Sequence, residues 1–224
     1  MSPQEFLQTL DATIERYAML KHTFYQAWSE GKLSKETLAE YAKQYYAHVR
    51  AFPTYVSAVH SRCADRNARL MLLDNLIDEE QGEDNHPELW LRFAEALGAK
   101  RNETQSARLL PSTIESVNTM KGLTQREDFL EGVAALYAYE SQIPEVARTK
   151  REGLKAFYGV DSPRDVSFFK VHEEVDLIHR QAERGILALH CDTEDRQERV
   201  LRAAEDSAKA LWQFLDGVYE AYVK

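Results

Sequence analysis

The chain has 224 residues and a formal net charge of −9 at neutral pH, long enough to bury on the order of 70% of its unfolded surface around one core. The acidic balance disfavours general binding to nucleic-acid phosphates, which needs a basic surface. The start of the chain lacks a basic stretch followed by an apolar run, and no segment holds eighteen consecutive apolar residues, so a cytoplasmic protein with no membrane insertion is expected. Cys63 and Cys191 are too few for a disulfide framework or a four-thiolate site, and read as reduced thiols.

Nine glycines and six prolines, set among many Ala, Leu, Glu, Lys and Arg, form a helix-former's composition. Phe6, Leu7, Leu10, Ile14 and Tyr17 keep helical spacing through the first segment, and Gly31 interrupts it. Ser34 caps a helix carrying Leu38, Tyr41, Tyr45 and His48, and Pro53 starts or kinks the next piece through Tyr55, Val56, Val59 and Cys63. A helix from about Asn67 to Glu80 ends near Gly82, and Asn85 with Pro87 opens another that runs to Leu97 and Gly98. Residues Asn102 to Pro111 are the best loop candidate, and Thr124 with Glu127 reads as a capping box before the apolar run Phe129 to Tyr139. Pro144 frees the Glu140 carbonyl and is expected to bend the helix there. Ser162, Pro163 and Asp165 start a helix that includes His172, and Thr193 starts a last one through Trp212, Phe214 and Tyr222. With no period-2 pattern and no internal repeat, the chain reads as a single-domain all-α bundle over residues 1–224.

Three segments carry candidate metal ligands. In His172-Glu-Glu-Val-Asp176-Leu-Ile-His179 the two imidazoles and Asp176 fall at i, i+4 and i+7, within one stripe of a helix. That mixed nitrogen and oxygen set suits iron, manganese or zinc, while Glu173, Glu174 and Arg180 mark the solvated side. Glu79 and His86 flank the acidic turn at Gly82 and are placed to converge across it, although such turns are normally solvated. Glu140 is a lone carboxylate in an apolar and aromatic helix, where burial calls for a cation, a proton or a metal. Three His and three carboxylates are the inventory of a dinuclear carboxylate site in a helical bundle. No Gly-rich nucleotide loop is present.

Long runs of the sequence resemble the 4-aminobenzoate synthase family, which includes the chlamydial protein associating with death domains, within the heme-oxygenase-like group of pyrroloquinoline-quinone synthases and thiaminase-type proteins. The matching strings include His22-Thr-Phe-Tyr25, Tyr41-Ala-Lys-Gln-Tyr-Tyr46, Ala51-Phe-Pro53, Leu72-Leu-Asp-Asn-Leu76, Tyr139-Glu-Ser-Gln-Ile-Pro144 and His172-Glu-Glu, and they extend from about residue 5 to 218. The resemblance implies a seven-helix heme-oxygenase-like bundle without heme. By position it puts the metal ligands on Glu79, His86, Glu140, His172, Asp176 and His179, the same six residues. It also implies a dinuclear Fe or Fe/Mn cofactor, O₂ as co-substrate, an outside reductant and electron donor, and a homodimer. The implied reaction is self-sacrificing, with Tyr25 as the excised ring, Lys150 as amino donor, and Tyr41 and Tyr139 as aromatic residues near the metals. On their own these tyrosines and Lys150 also fit ordinary core, rim or solvated positions. Death-domain binding is not expected, because the Cys-rich end of the chlamydial relative has no counterpart here. A thiaminase-type reading lacks its cysteine within Ala135 to Ile143, and a heme oxygenase would rest on His22 as axial ligand beside carboxylates unsuited to an anionic porphyrin. A conventional oxidase or quinone-synthase-like enzyme on an external aromatic substrate, and a non-enzymatic helical interaction protein, remain alternatives.

Overall fold

A computed structural model describes residues 1–224 and is all helix. Helix α1, Pro3–Glu15, opens on a reciprocal capping box between Ser2 and Glu5. After a short 3₁₀ turn, α2, Thr23–Ser29, is capped by His22, whose Nδ1 accepts from Phe24 N. Ser34 caps α3, Lys35–Arg62, by accepting from Thr37 N. Asp65 caps α4, Arg66–Glu80, and Asn85 caps α5, His86–Ala96. The short α6, Arg101–Gln105, leads to α7, Pro111–Thr124, and α8, Phe129–Glu140. Then follow α9, Ile143–Gly153, extended by a π turn to Tyr158, α10, Ser167–His190, and α11, Glu194–Tyr222.

α8 is the central element: every residue from Leu130 to Glu140 is buried. It lies against α11, α7, α10 and α3, while α10 packs along α9 and α3 touches α4, α5 and α7. One contiguous apolar core runs from Phe6 to Val218 through these contacts. No helix is long and apolar enough to cross a membrane.

The all-α expectation holds, and several of its details are corrected. There are eleven α-helices rather than seven, because short connectors are helical and Pro144 breaks the chain instead of bending it. The missing Pro144 N–H is harmless at the start of a new helix, so α8 stops at Glu140 and α9 begins at Ile143. Pro53 lies inside α3 rather than at its start. The loop expected over Asn102 to Pro111 begins as helix α6 and closes on Pro111 at the first turn of α7, a helix the sequence reading passed over. Buried Gln44 ties down the connector: its amide donates to Arg108 O, and its Oε1 accepts from Leu110 N and Thr113 Oγ1. Thr124 is not an N-cap, since its hydroxyl donates back to Met120 O as the last residue of α7, and Asp128 caps α8. The turn at Ser162 to Val166 precedes α10, which starts at Ser167.

Candidate metal centre

The six predicted ligands are brought together, all buried, in two adjacent triplets. Glu79, His86 and His172 form one, and Glu140, Asp176 and His179 the other; within each, the ligand atoms lie within 4.8 Å of one another. Gly82, at φ +84°, turns the chain in the left-handed region that most side chains avoid, and so returns His86 toward Glu79. His86 Nδ1 comes 2.9 Å from Glu79 Oε1, and the His86 and His172 ring centroids are 4.3 Å apart. His172 donates Nδ1–H to the Phe168 carbonyl at 2.7 Å, which leaves Nε2 as the free lone pair.

In the second triplet His179 Nδ1 lies 3.2 Å from Glu140 Oε1 and 3.7 Å from Asp176 Oδ1. Its far nitrogen Nε2 is 3.1 Å from Asp78 Oδ2, the outer carboxylate arrangement that orients a ligating histidine. Asn75, one turn before Glu79 on α4, donates to both oxygens of Glu140, at 3.0 and 3.2 Å. The convergence is close but not hydrogen-bonded: His86 Nδ1, His179 Nδ1 and both oxygens of Asp176 lack partners with hydrogen-bond geometry. Buried polar groups that face one another without partners could hold metal ions.

The electrostatics divide the histidines. Burial drives His86 and His172 down to about 4, so both are neutral and ready to ligate at neutral pH. Burial also disfavours the charged form of His179, but the Asp176 and Glu140 carboxylates beside it outweigh that and lift it to about 11. Burial, reinforced by the Glu140 charge, pushes Glu79 well up, and burial takes Asp176 to about 6.

Beside the triplets lies a mostly apolar cavity lined by Glu79, Glu140, His172 and Asp176 on one side and by Tyr45, Tyr139 and Lys150 on the other. It offers about 20 Å³ to the centre of a water-sized molecule, room for roughly one water. Tyr45 and Tyr139 hydrogen-bond to each other through their hydroxyls. Beyond them Lys150 Nζ donates to Tyr41 OH at 2.6 Å, and Tyr41 OH bonds Tyr25 OH at 2.9 Å. Lys150 Nζ also sits 4.7 Å from the Tyr25 ring centroid and 4.9 Å from those of Tyr41 and Tyr45. Trp28 closes this compartment, donating Nε1–H to Lys150 O at 3.2 Å. A Cβ on Gly153 would meet Trp28 Cδ1 at 2.8 Å, so glycine is what lets α9 approach α2 this closely. Burial holds the Tyr25, Tyr41 and Tyr139 hydroxyls well above the usual phenol range, so they keep their protons.

Burial alone, with no carboxylate opposing it, pushes the Lys150 ammonium well below the usual lysine range. Between its folded pKa and about 10.5 the unfolded chain holds a proton that the folded chain lacks, so stability rises with pH across that window by about 1.4 kcal/mol per unit. Lys150→Met is therefore expected to be more stable than the parent at neutral pH, with the difference shrinking toward pH 10. Urea unfolding at several pH values checks this, and a difference independent of pH would place an ammonium in the folded chain.

The structure also shows residues that the sequence reading missed. Tyr45 completes the cavity wall, Asn75 holds Glu140, and Glu183, one turn past His179, is buried beside Glu140. The i, i+4 spacing after His179 was the available signal for Glu183. His22 is not free for an axial role: its two ring nitrogens are taken by Phe24 N and by Asp216 Oδ1, at 3.0 Å each.

Residues 39–212 match the family of iron-containing redox enzymes. The chain is 44% identical over 231 residues to a 4-aminobenzoate synthase of Nitrosomonas europaea, covering 99% of this chain and 94% of that one. It belongs to that family. A 4-aminobenzoate synthase of Chlamydia trachomatis is also 44% identical, over 211 residues, or 94% of this chain and 90% of that one. Family and fold agree: a solved domain with a heme oxygenase-like fold from Shewanella denitrificans superposes with a TM-score of 0.82 at 16% identity, covering 100% of this chain and 94% of that one.

Proposed function

We propose that this chain makes 4-aminobenzoate from its own Tyr25, with Lys150 as the nitrogen source and a dinuclear metal site as the oxidising centre. The observation that carries this reading is the sealed hydrogen-bonded line from Tyr25 through Tyr41 to Lys150, beside a cavity with room for roughly one water. The aromatic ring of Tyr25 already lies in that compartment, within reach of Lys150, and this favours an internal ring over a conventional oxidase or a quinone-synthase-like enzyme.

The residues fit the metals. Glu79, His86 and His172 would hold one ion, and Glu140, Asp176 and His179 the other. Two iron ions, or one iron and one manganese, would supply the oxidising power of O₂, with an outside reductant keeping them divalent. The protein's own groups do the rest. The ring of Tyr25 carries its phenol oxygen and its Cβ in para positions, the relation of nitrogen and carboxyl carbon in 4-aminobenzoate. In the net reaction the Cα–Cβ bond of Tyr25 breaks, and Cβ is oxidised to the carboxyl carbon. The Nζ–Cε bond of Lys150 also breaks, and that nitrogen replaces the phenol oxygen. Cα of Tyr25 is left with a hydrogen and Cε of Lys150 as an aldehyde. Two O₂, with two electrons and two protons from the outside reductant, balance the change, with two waters released.

A neutral Lys150 presents its lone pair to the ring carbon, while the protons that the Tyr25 and Tyr41 hydroxyls give up leave in the water formed as O₂ is reduced. The aromatic wall of Trp28, Tyr41 and Tyr45 excludes water, which would otherwise compete with the amine. Intact-protein mass spectrometry after a single exposure of reduced, iron-loaded protein to O₂ tests the proposal. The expected result is a mass loss that peptide mapping places at Tyr25, and an unchanged chain that still releases product would refute it.

A further inference from the structure

Glu183 has no role in the site as described so far, yet it is 2% exposed and neither of its carboxylate oxygens has a hydrogen-bond partner. It follows His179 by one turn of α10, so His172, Asp176, His179 and Glu183 form a single inward stripe. The charges that act on it, from Glu140 and Asp176, are both negative. A carboxylate so placed is expensive to bury unless a cation arrives.

We propose that Glu183 is a seventh metal-binding residue, which joins Glu140, Asp176 and His179 at the second metal position. This rests on the dinuclear reading above and deepens it. With Glu183 included, the carboxylates of the site number four, and their charge balances that of two divalent ions. The two positions also become chemically unlike. Glu79, His86 and His172 offer two imidazoles and one carboxylate, whereas the triplet of Glu140, Asp176 and His179 would, once Glu183 joins it, offer one imidazole and three carboxylates. Oxygen-rich sets favour the harder ion, so this position is the one suited to manganese when the pair is mixed.

The test is an anaerobic Mn(II) titration of the metal-free full chain, with free Mn(II) read by electron paramagnetic resonance, for the parent and Glu183→Gln. Glutamine matches the size and polarity of the glutamate side chain, so the packing is retained while the charged ligand is lost. The parent should bind two ions. Glu183→Gln should keep one position at parental affinity and weaken the other by about tenfold or more. Its metal-free thermal midpoint should also rise, because an unpaired buried carboxyl has gone, and its metal-induced rise in midpoint should shrink. Superimposable titrations would overturn the role of Glu183 while leaving the dinuclear site standing. A parent that binds fewer than two ions would overturn both. A lowered metal-free midpoint with equal weakening of both positions would mark Glu183 as structural, and would also overturn the proposal.

Discussion

Tyr25→Phe protein, reduced, loaded with iron and exposed to O₂, is expected to release no 4-aminobenzoate. The substitution keeps the ring volume in a fully buried site and removes only the hydroxyl that bonds Tyr41, so the stability cost is about 1 kcal/mol while the product loss is complete. Lys150→Arg should abolish product as well. Arginine cannot become a neutral amine, and in this buried site it brings a charge that neutral Lys150 lacks, so retained metal content is the control that ties the loss to nitrogen donation. Because the ring comes from the protein, the parent should give at most one product per chain. Protein expressed with ring-labelled tyrosine should pass the label to the product. Undiminished product from Tyr25→Phe, or many turnovers with an added small molecule, would point to a conventional oxidase on an external substrate.

The fold class and the convergence of the six candidate ligands were legible in the sequence for different reasons. Helix caps such as Ser34, Asn85 and Thr193 are local chemistry, and each does cap a helix in the structure. Thr124 with Glu127 obeys the same spacing rule and fails, because the hydroxyl bonds backward within α7 and Asp128 takes the cap. A short motif does not say which side of a boundary it stands on. The ligands on α10 followed from helical periodicity alone, whereas Tyr45, Asn75 and Glu183 did not stand out. Asn75 and Glu183 look like surface residues in one dimension, and only the packing of α4 and α10 around Glu140 turns them inward. The line from Tyr25 through Tyr41 to Lys150 joins α2, α3 and α9, and no spacing rule connects those segments.

Metal content and its dependence on pH give the remaining large effect. Protein produced with iron and manganese should carry roughly two transition metals per chain, and His172→Ala and Asp176→Ala should each lose binding at the triplet to which that residue belongs. Stoichiometric binding that survives both substitutions would rule these residues out as ligands. The sign of the pH effect follows from the histidines. A ligating imidazole must be neutral, and His86 and His172, at about 4, already are above that pH. His179, raised to about 11 by Asp176 and Glu140 against the effect of burial, must surrender a proton to the metal throughout the neutral range. The affinity of the Glu140, Asp176 and His179 position should therefore climb with pH by about tenfold per unit between pH 6 and 9. The Glu79, His86 and His172 position has no histidine proton to displace there, and only Glu79, pushed up by burial, competes. Both positions should lose metal as the pH falls, and the His179 position, which displaces an imidazole proton as well as carboxyl protons, should show the steeper dependence. Competition titrations against a chelator at each pH measure this, and affinities flat from pH 7.5 to 5 at both positions would argue against histidine ligation altogether.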